Sequence, residues 1–325
     1  MTHNDVSTTS DLLNPYHLRY LEFIGVFSNT NIWTNVDLKK NIVLPQALTK
    51  FYHLQFFNAG IGCNISVPTS MNNLINLRNI VAHEKVHSEI AGVGKLTSLQ
   101  GIKFKVRIVG EFEIIQLRSM SELVTLEISQ LENVKTKEQA SGARLIEKEY
   151  LQELSLSWND ISVGLDPCTA RRTEDVLEGL QPHENLKSLR ITGYNGVNSP
   201  AWLAGNMSIK MLQILHLENC NEWRILPLQL LPFLRKLKMI RMWNLMEISI
   251  PSLEELVLIE MPRLEKCLGT YGVELTSKLR VIITKGCPQL NEFTIFHSYS
   301  SFRAEQQSWF PFLSKLAICY CPHVM

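Results

Sequence analysis

Two short patterns in the chain hold residue types that could do chemistry. His83-Glu84-Lys85-Val86-His87 fits H-E-x-x-H, in which a helix sets two imidazoles on one face to bind zinc and the glutamate activates a bound water. A strand-like run, Leu77–Ala82, precedes His83, and Ile90-Ala-Gly-Val-Gly-Lys-Leu leads into the next apolar segment, leaving little room for a helix. Ile90 stands where the longer zinc-peptidase pattern needs glycine, and Glu111 or Glu113 offers a third ligand by arithmetic only. Cys319-x-Cys321 offers a metal or redox pair, but in a strand of period two the first faces solvent and the second the core. No other histidine sits in a recognisable nucleophile motif. The expectation is a non-enzymatic chain with no cofactor and no metal.

Composition narrows the remaining classes. The 325 residues are 45% hydrophobic and 8% aromatic, enough for a sizeable core in one or two domains. Lysine plus arginine (32) balances aspartate plus glutamate (31), so no global field draws nucleic acid or an anionic membrane. The first thirty residues lack a basic start followed by an apolar run. No run reaches the roughly 18 apolar residues of a membrane span. Seven cysteines at irregular spacing, most of them in apolar runs, suit a reducing compartment. A soluble, cytoplasmic protein is expected, for which the sequons at Asn64 and Asn206 have no bearing.

The elements that must position any site come from a repeat. L-x-x-L-x-L starts at Leu18, Leu54, Leu77, Leu99, Leu123, Leu151, Leu186, Leu212, Leu234, Leu253, Leu279 and Leu313. Most steps fall in or near the leucine-rich-repeat range of about 20–29 residues. Of the thirty-six first-, fourth- and sixth-position residues, thirty-five are apolar and the exception is Thr284. A single repeat of this kind cannot bury its apolar side, so neighbours must stack in parallel. The fold class is an α/β repeat solenoid, a leucine-rich-repeat horseshoe. Its parallel β-sheet lines the concave face, and irregular loops with short helices form the convex side. Residues 1–17 are an irregular N-terminal segment and 18–325 hold about 12 irregular repeats. The ninth position reads Asn159, Cys220, Cys287 and Cys321 in the later copies but Val26, Gly62, Lys85 and Arg107 in the first four.

The longer steps hold the returns. Thr136-Lys-Glu-Gln139 is a capping box, and Ala140, Ala143, Leu145 and Ile146 follow at helical spacing. A second helix is expected to start near Thr173, with Glu174 and Asp175 at its positive end, Val176, Leu177 and Leu180 inward, and Pro182 as its limit. Residues 24–44 and 291–310 read as loops or small insertions.

ISQLENV (128–134), EQASGARLIEKEYLQELSLSWND (138–160) and VLEGLQPHENLKSLRITGYNG (176–196) resemble the repeat region of plant nucleotide-binding leucine-rich-repeat disease-resistance proteins. So do the turns GCPQL (286–290), YCPHV (320–324) and EMPRL (260–264). The resemblance implies an intracellular receptor region that senses pathogen effectors or host targets, or restrains a nucleotide-switched domain. A general leucine-rich-repeat scaffold or adaptor is the alternative. The chain departs from full-length members in having no G-x-x-x-x-G-K-[ST] loop; Gly92-Val-Gly94-Lys95-Leu96 lacks both spacing and hydroxyl. Neither end reads as a polar capping repeat, so a piece of a longer array is expected.

A protein partner is therefore expected, without nucleic acid or membrane insertion, on the concave positions of the strands. Arg235, Lys236, Lys238 and Arg241 lie in one copy and Glu254, Glu255 and Glu260 in the next. Equivalent positions suggest self-neutralisation of Arg235 by Glu254, Lys236 by Glu255 and Arg241 by Glu260. Trp158, Lys187, Arg190 and His216 complete the candidates, since aromatics and arginine dominate interfaces. Trp202, Trp223 and Trp243 read as packing residues on turns.

Overall fold

A computed structural model describes residues 17–22, 42–60, 65–107, 113–159, 167–204, 209–269, 278–293 and 312–323. Glu111, Asn64, Asn206 and the loop readings at 24–41 and 294–310 lie outside them. The chain divides into two compact units, Met1–Leu126 and Glu127–Met325.

In the first unit the strands are β1 (Tyr20–Glu22), β2 (Ile42–Val43), β3 (Phe56–Gly60), β4 (Ile65–Ser66), β5 (Asn79–Ala82) and β6 (Gly101–Lys105). β1, β3 and β5 pair in parallel, so that Leu21 lies opposite Phe57 and Phe57 opposite Ile80. β2 pairs with β4, which makes part of the expected loop at 24–44 a short strand. The six-residue helix α1 (Glu84–Glu89) follows β5, in the stretch expected to leave little room for one.

The second unit continues with β7 (Thr125–Ser129), α2 (Lys137–Ser141), β8 (Glu153–Ser157), α3 (Pro167–Gly179), β9 (Ser188–Thr192), α4 (Ala201–Ala204) and β10 (Ile214–Glu218). Then come β11 (Ile225–Pro227), β12 (Lys236–Ile240), β13 (Glu247–Ile250), β14 (Glu255–Ile259), β15 (Lys266–Gly269), β16 (Val281–Lys285), β17 (Glu292–Phe293) and β18 (Lys315–Cys319). Its main parallel sheet runs in the order β18-β16-β14-β12-β10-β9-β8-β7. The chain is thus a leucine-rich-repeat solenoid, with each main-sheet strand starting two residues after a repeat's first leucine. Leu189, Leu215, Leu237, Leu256 and Ile282 stand in one row of the register and are fully buried. Truncating one of these leucines to alanine costs about 2–5 kcal/mol by lost transfer energy and a cavity.

Most main-sheet strands of the second unit end in the same turn. The eighth residue of the repeat takes a left-handed conformation at Gln130, Gly193, Asn219, Arg241, Glu260, Gly286 and Tyr320, with φ between 55° and 72°. At Gly193, Asn219, Arg241, Glu260 and Gly286 its N–H donates to the seventh-position carbonyl of the next repeat, as from Asn219 to Ile240 at 3.0 Å and from Glu260 to Lys285 at 2.8 Å. The repeat of Leu151 departs from this: Trp158 keeps the bond, to Thr192 O at 3.0 Å, without the left-handed backbone.

The returns take two forms. The repeats starting at Leu123, Leu151 and Leu186 return through α2, α3 and α4, whereas those from Leu212 to Leu279 return through β11, β13, β15 and β17. These last four form a second parallel sheet, and β17 corrects the loop reading at residues 292–293. α2 has the expected cap, with Thr136 Oγ1 accepting from Gln139 N at 3.2 Å and Gln139 Oε1 from Lys135 N at 2.8 Å. It stops at Ser141, however, and Leu145–Glu147 is a 3₁₀ turn that leaves Ile146 exposed. α3 begins six residues before Thr173, so Glu174 and Asp175 sit in its body and not at its start.

Candidate binding surface

On each main-sheet strand the fourth and sixth repeat positions point inward, which leaves the third, fifth and seventh facing out on the other side. Across adjacent strands the fifth position reads Ser155, Arg190, His216, Lys238, Val257, Ile283 and Ala317 in register. The row changes from polar to apolar at β14.

Most of the charged candidates are paired. Arg235 Nη1 lies 3.8 Å from Glu254, Lys236 Nζ 3.4 Å from Glu255, and Arg241 Nε 3.9 Å from Glu260. The shorter bonds of this set converge on Glu218, whose two oxygens accept from Arg241 Nη2 and Arg190 Nη2, both at 2.9 Å. Lys187 donates to Gln152 Oε1 at 3.2 Å. Exposed pairs of this kind contribute about 0–1 kcal/mol each, so they hold side chains in register more than they hold the fold together.

Two candidates behave differently from expectation. Trp158 is only 5% exposed, so it is no concave contact residue. Its ring packs edge-on against Tyr194 at 5.4 Å, and Tyr194 lies 5.3 Å from Trp223. Without the left-handed turn of its neighbours, it packs against the next repeat. His216 is half-buried with Nε2 unpartnered, 3.7 Å from Glu218. Burial, then Arg190 and Lys238, push its pKa down to about 4, so the ring is neutral at pH 7. Trp202 and Trp223 are buried, but Trp243 is 50% exposed, which corrects its reading as a packing residue.

The other chemical patterns find structural uses. His83 lies outside α1 as its N-cap, with Nδ1 accepting from Lys85 N at 3.2 Å. His87 is buried in the helix. Gly92, in the loop-like glycine run, takes φ 62° ahead of a 3₁₀ turn. Cys319 is exposed, and Cys321 is buried and donates to Cys319 O at 3.2 Å. Cys220 and Cys287 likewise point inward, towards the carbonyls of Ile191 and Leu258 in the preceding repeats. Among the described residues no group of three or more His, Cys, Asp or Glu is placed to hold a metal, and no helix is long and apolar enough to cross a membrane.

Charge-led reasoning missed the apolar concave residues Ile214, Ile240, Val257, Ile259, Val281 and Ile283. The same repeat frame that located the lysines places them on this face.

Comparison with known proteins agrees with the repeat. Residues 114–242 match the family described as R13L1/DRL21 LRRs. The chain is 27% identical over 231 residues to disease resistance protein RGA2 of Solanum bulbocastanum, covering 65% of this chain and 23% of that protein. It is 28% identical over 240 residues to the putative disease resistance protein RGA4 of the same species, covering 71% and 21%. It is 30% identical over 213 residues to the putative disease resistance protein At3g14460 of Arabidopsis thaliana, covering 55% and 15%. The chain thus spans less than a quarter of the length of these relatives. Among solved structures it is similar to the functional domain of InlJ from Listeria monocytogenes, with a TM-score of 0.38, 12% identity, and coverage of 73% and 60%.

Proposed function

We propose, taking residues 114–242 as leucine-rich repeats of the R13L1/DRL21 type, that the chain recognises proteins in plant innate immunity through the concave face of its second unit. In this reading it senses a pathogen effector or a host target, or restrains a nucleotide-binding switch domain, by reversible binding inside the cell. It uses no cofactor, no nucleic acid and no membrane insertion. The observation that carries the reading is the fifth-position row from Ser155 to Ala317, an ordered array of outward-facing side chains on parallel strands. The disease-resistance relatives support the immune setting.

The test is capture of partners from infected and uninfected host tissue with the wild-type chain and with Arg235→Glu/Lys238→Glu. The expected result is a protein retained by the wild type and lost by the variant, at nearly unchanged thermal midpoint. A partner retained equally by both chains places recognition elsewhere. Housekeeping proteins recovered alike from both tissues favour the scaffold role.

A further inference from the structure

The apolar end of the concave face has a specific setting. Ile240, Ile259, Val281 and Ile283 face out around Val257, itself only 5% exposed, so the patch has a packed floor. It extends over three adjacent strands, β12, β14 and β16, which at about 4.8 Å spacing is room for one or two side chains. Three lysines border it: Lys238 on the β12 side, Lys285 at the end of β16 and Lys315 on β18.

These lysines differ from the other cations of the face. Arg190, Arg235, Lys236 and Arg241 each have a carboxylate within 4 Å, whereas Lys238, Lys285 and Lys315 have no ion-pair partner among the described residues. The carboxylates of the neighbouring strands and turns are already engaged, Glu255 by Lys236, Glu218 by Arg190 and Arg241, and Glu260 by Arg241. An uncompensated cationic rim around an apolar floor complements a segment with the opposite arrangement, and such complementarity sets partner choice and encounter rate.

We infer that this patch docks a protein segment carrying an aliphatic or aromatic side chain flanked by aspartate or glutamate. The inference rests on the concave reading above and gives it a partner chemistry. The apolar side chain sits over Val257 between Ile259 and Ile283, and the flanking carboxylates meet Lys238, Lys285 and Lys315.

The experiment is a selection of random linear peptides displayed on phage against the full chain. It is repeated with Lys238→Glu/Lys285→Glu/Lys315→Glu, with the same three lysines changed to glutamine, and with Ser155→Arg/Ser188→Arg, which obstructs the concave face away from the patch. The wild type is expected to enrich peptides with an apolar residue beside acidic ones. The glutamine variant should bind them about tenfold more weakly, a loss of about 1.4 kcal/mol shared among three pairs. The glutamate variant should enrich basic peptides instead. No enrichment, or enrichment without acidic residues, overturns the inference. If binding ignores the lysines but is lost in the serine variant, the inference fails and the concave reading stands. If it ignores both sets, both fail.

Discussion

The guanidinium of Arg241 donates to Glu218 Oε1 at 2.9 Å, across the junction between two neighbouring repeats. Because Arg190 takes the other oxygen from the opposite side, Glu218 ties three consecutive strands together. Glu218→Gln is expected to lower stability by about 1 kcal/mol in urea unfolding, with the difference shrinking as salt is raised. A double-mutant cycle with Arg241→Met should return a coupling of roughly 0.5–1 kcal/mol; zero coupling would make the contact ornamental.

Gly193 and Tyr320 occupy equivalent turn positions and should respond in opposite ways. A Cβ on Gly193, at φ +72°, would lie 2.3 Å from Trp158 O, so Gly193→Ala should cost at least about 2 kcal/mol. Tyr320 takes φ 56° and is 83% exposed, so Tyr320→Gly relieves strain at little loss of contact. A gain of about 0.5–1 kcal/mol in unfolding free energy is expected.

Trp158→Ala should act on folding and not on recognition. Loss of its buried ring is expected to cost about 3–5 kcal/mol in chemical unfolding, while Trp158→Phe retains most of that. If the alanine variant stays fully folded and only partner affinity falls, the buried assignment is wrong.

Acid should destabilise the chain through two histidines. His87 and His216 are each pushed down to about 4, mainly by burial, from an ordinary value near 6.5. Between those values the unfolded chain binds protons that the folded chain does not, so stability falls as pH drops from about 6.5 towards 4. His87→Leu should flatten this slope in pH-dependent thermal melts, and His216→Gln should do so by a similar amount. An unchanged slope in His87→Leu would exclude the buried ring as its source.

Much of the fold was legible because the core positions of a repeat obey a strict spacing. All twelve leucines from Leu18 to Leu313 precede a strand by two residues, including the early frames whose ninth positions looked irregular. The second sheet was not legible: β11 and β17 are three and two residues long, too short to show alternation. α1 was missed because its start is set by the His83 ring, a cap that no spacing rule favours. At the surface, the charge pattern pointed to Arg235 and Lys236, which already have partners, and passed over Ile283 and Lys285, the latter without an ion pair among the described residues. Trp158 misled for a backbone reason, since the frame places it at a turn whose usual left-handed geometry it does not adopt.

The Trp158, Tyr194 and Trp223 rings link the repeats of Leu151, Leu186 and Leu212 across two successive junctions. In a stack where each layer otherwise touches only its neighbours, opening tends to start at any weak junction and spread layer by layer. A shared aromatic seam makes these three layers open together. Amide protons on β8, β9 and β10 would then exchange with solvent at one common slow rate, and the region would serve as the anchor from which the remaining repeats fray.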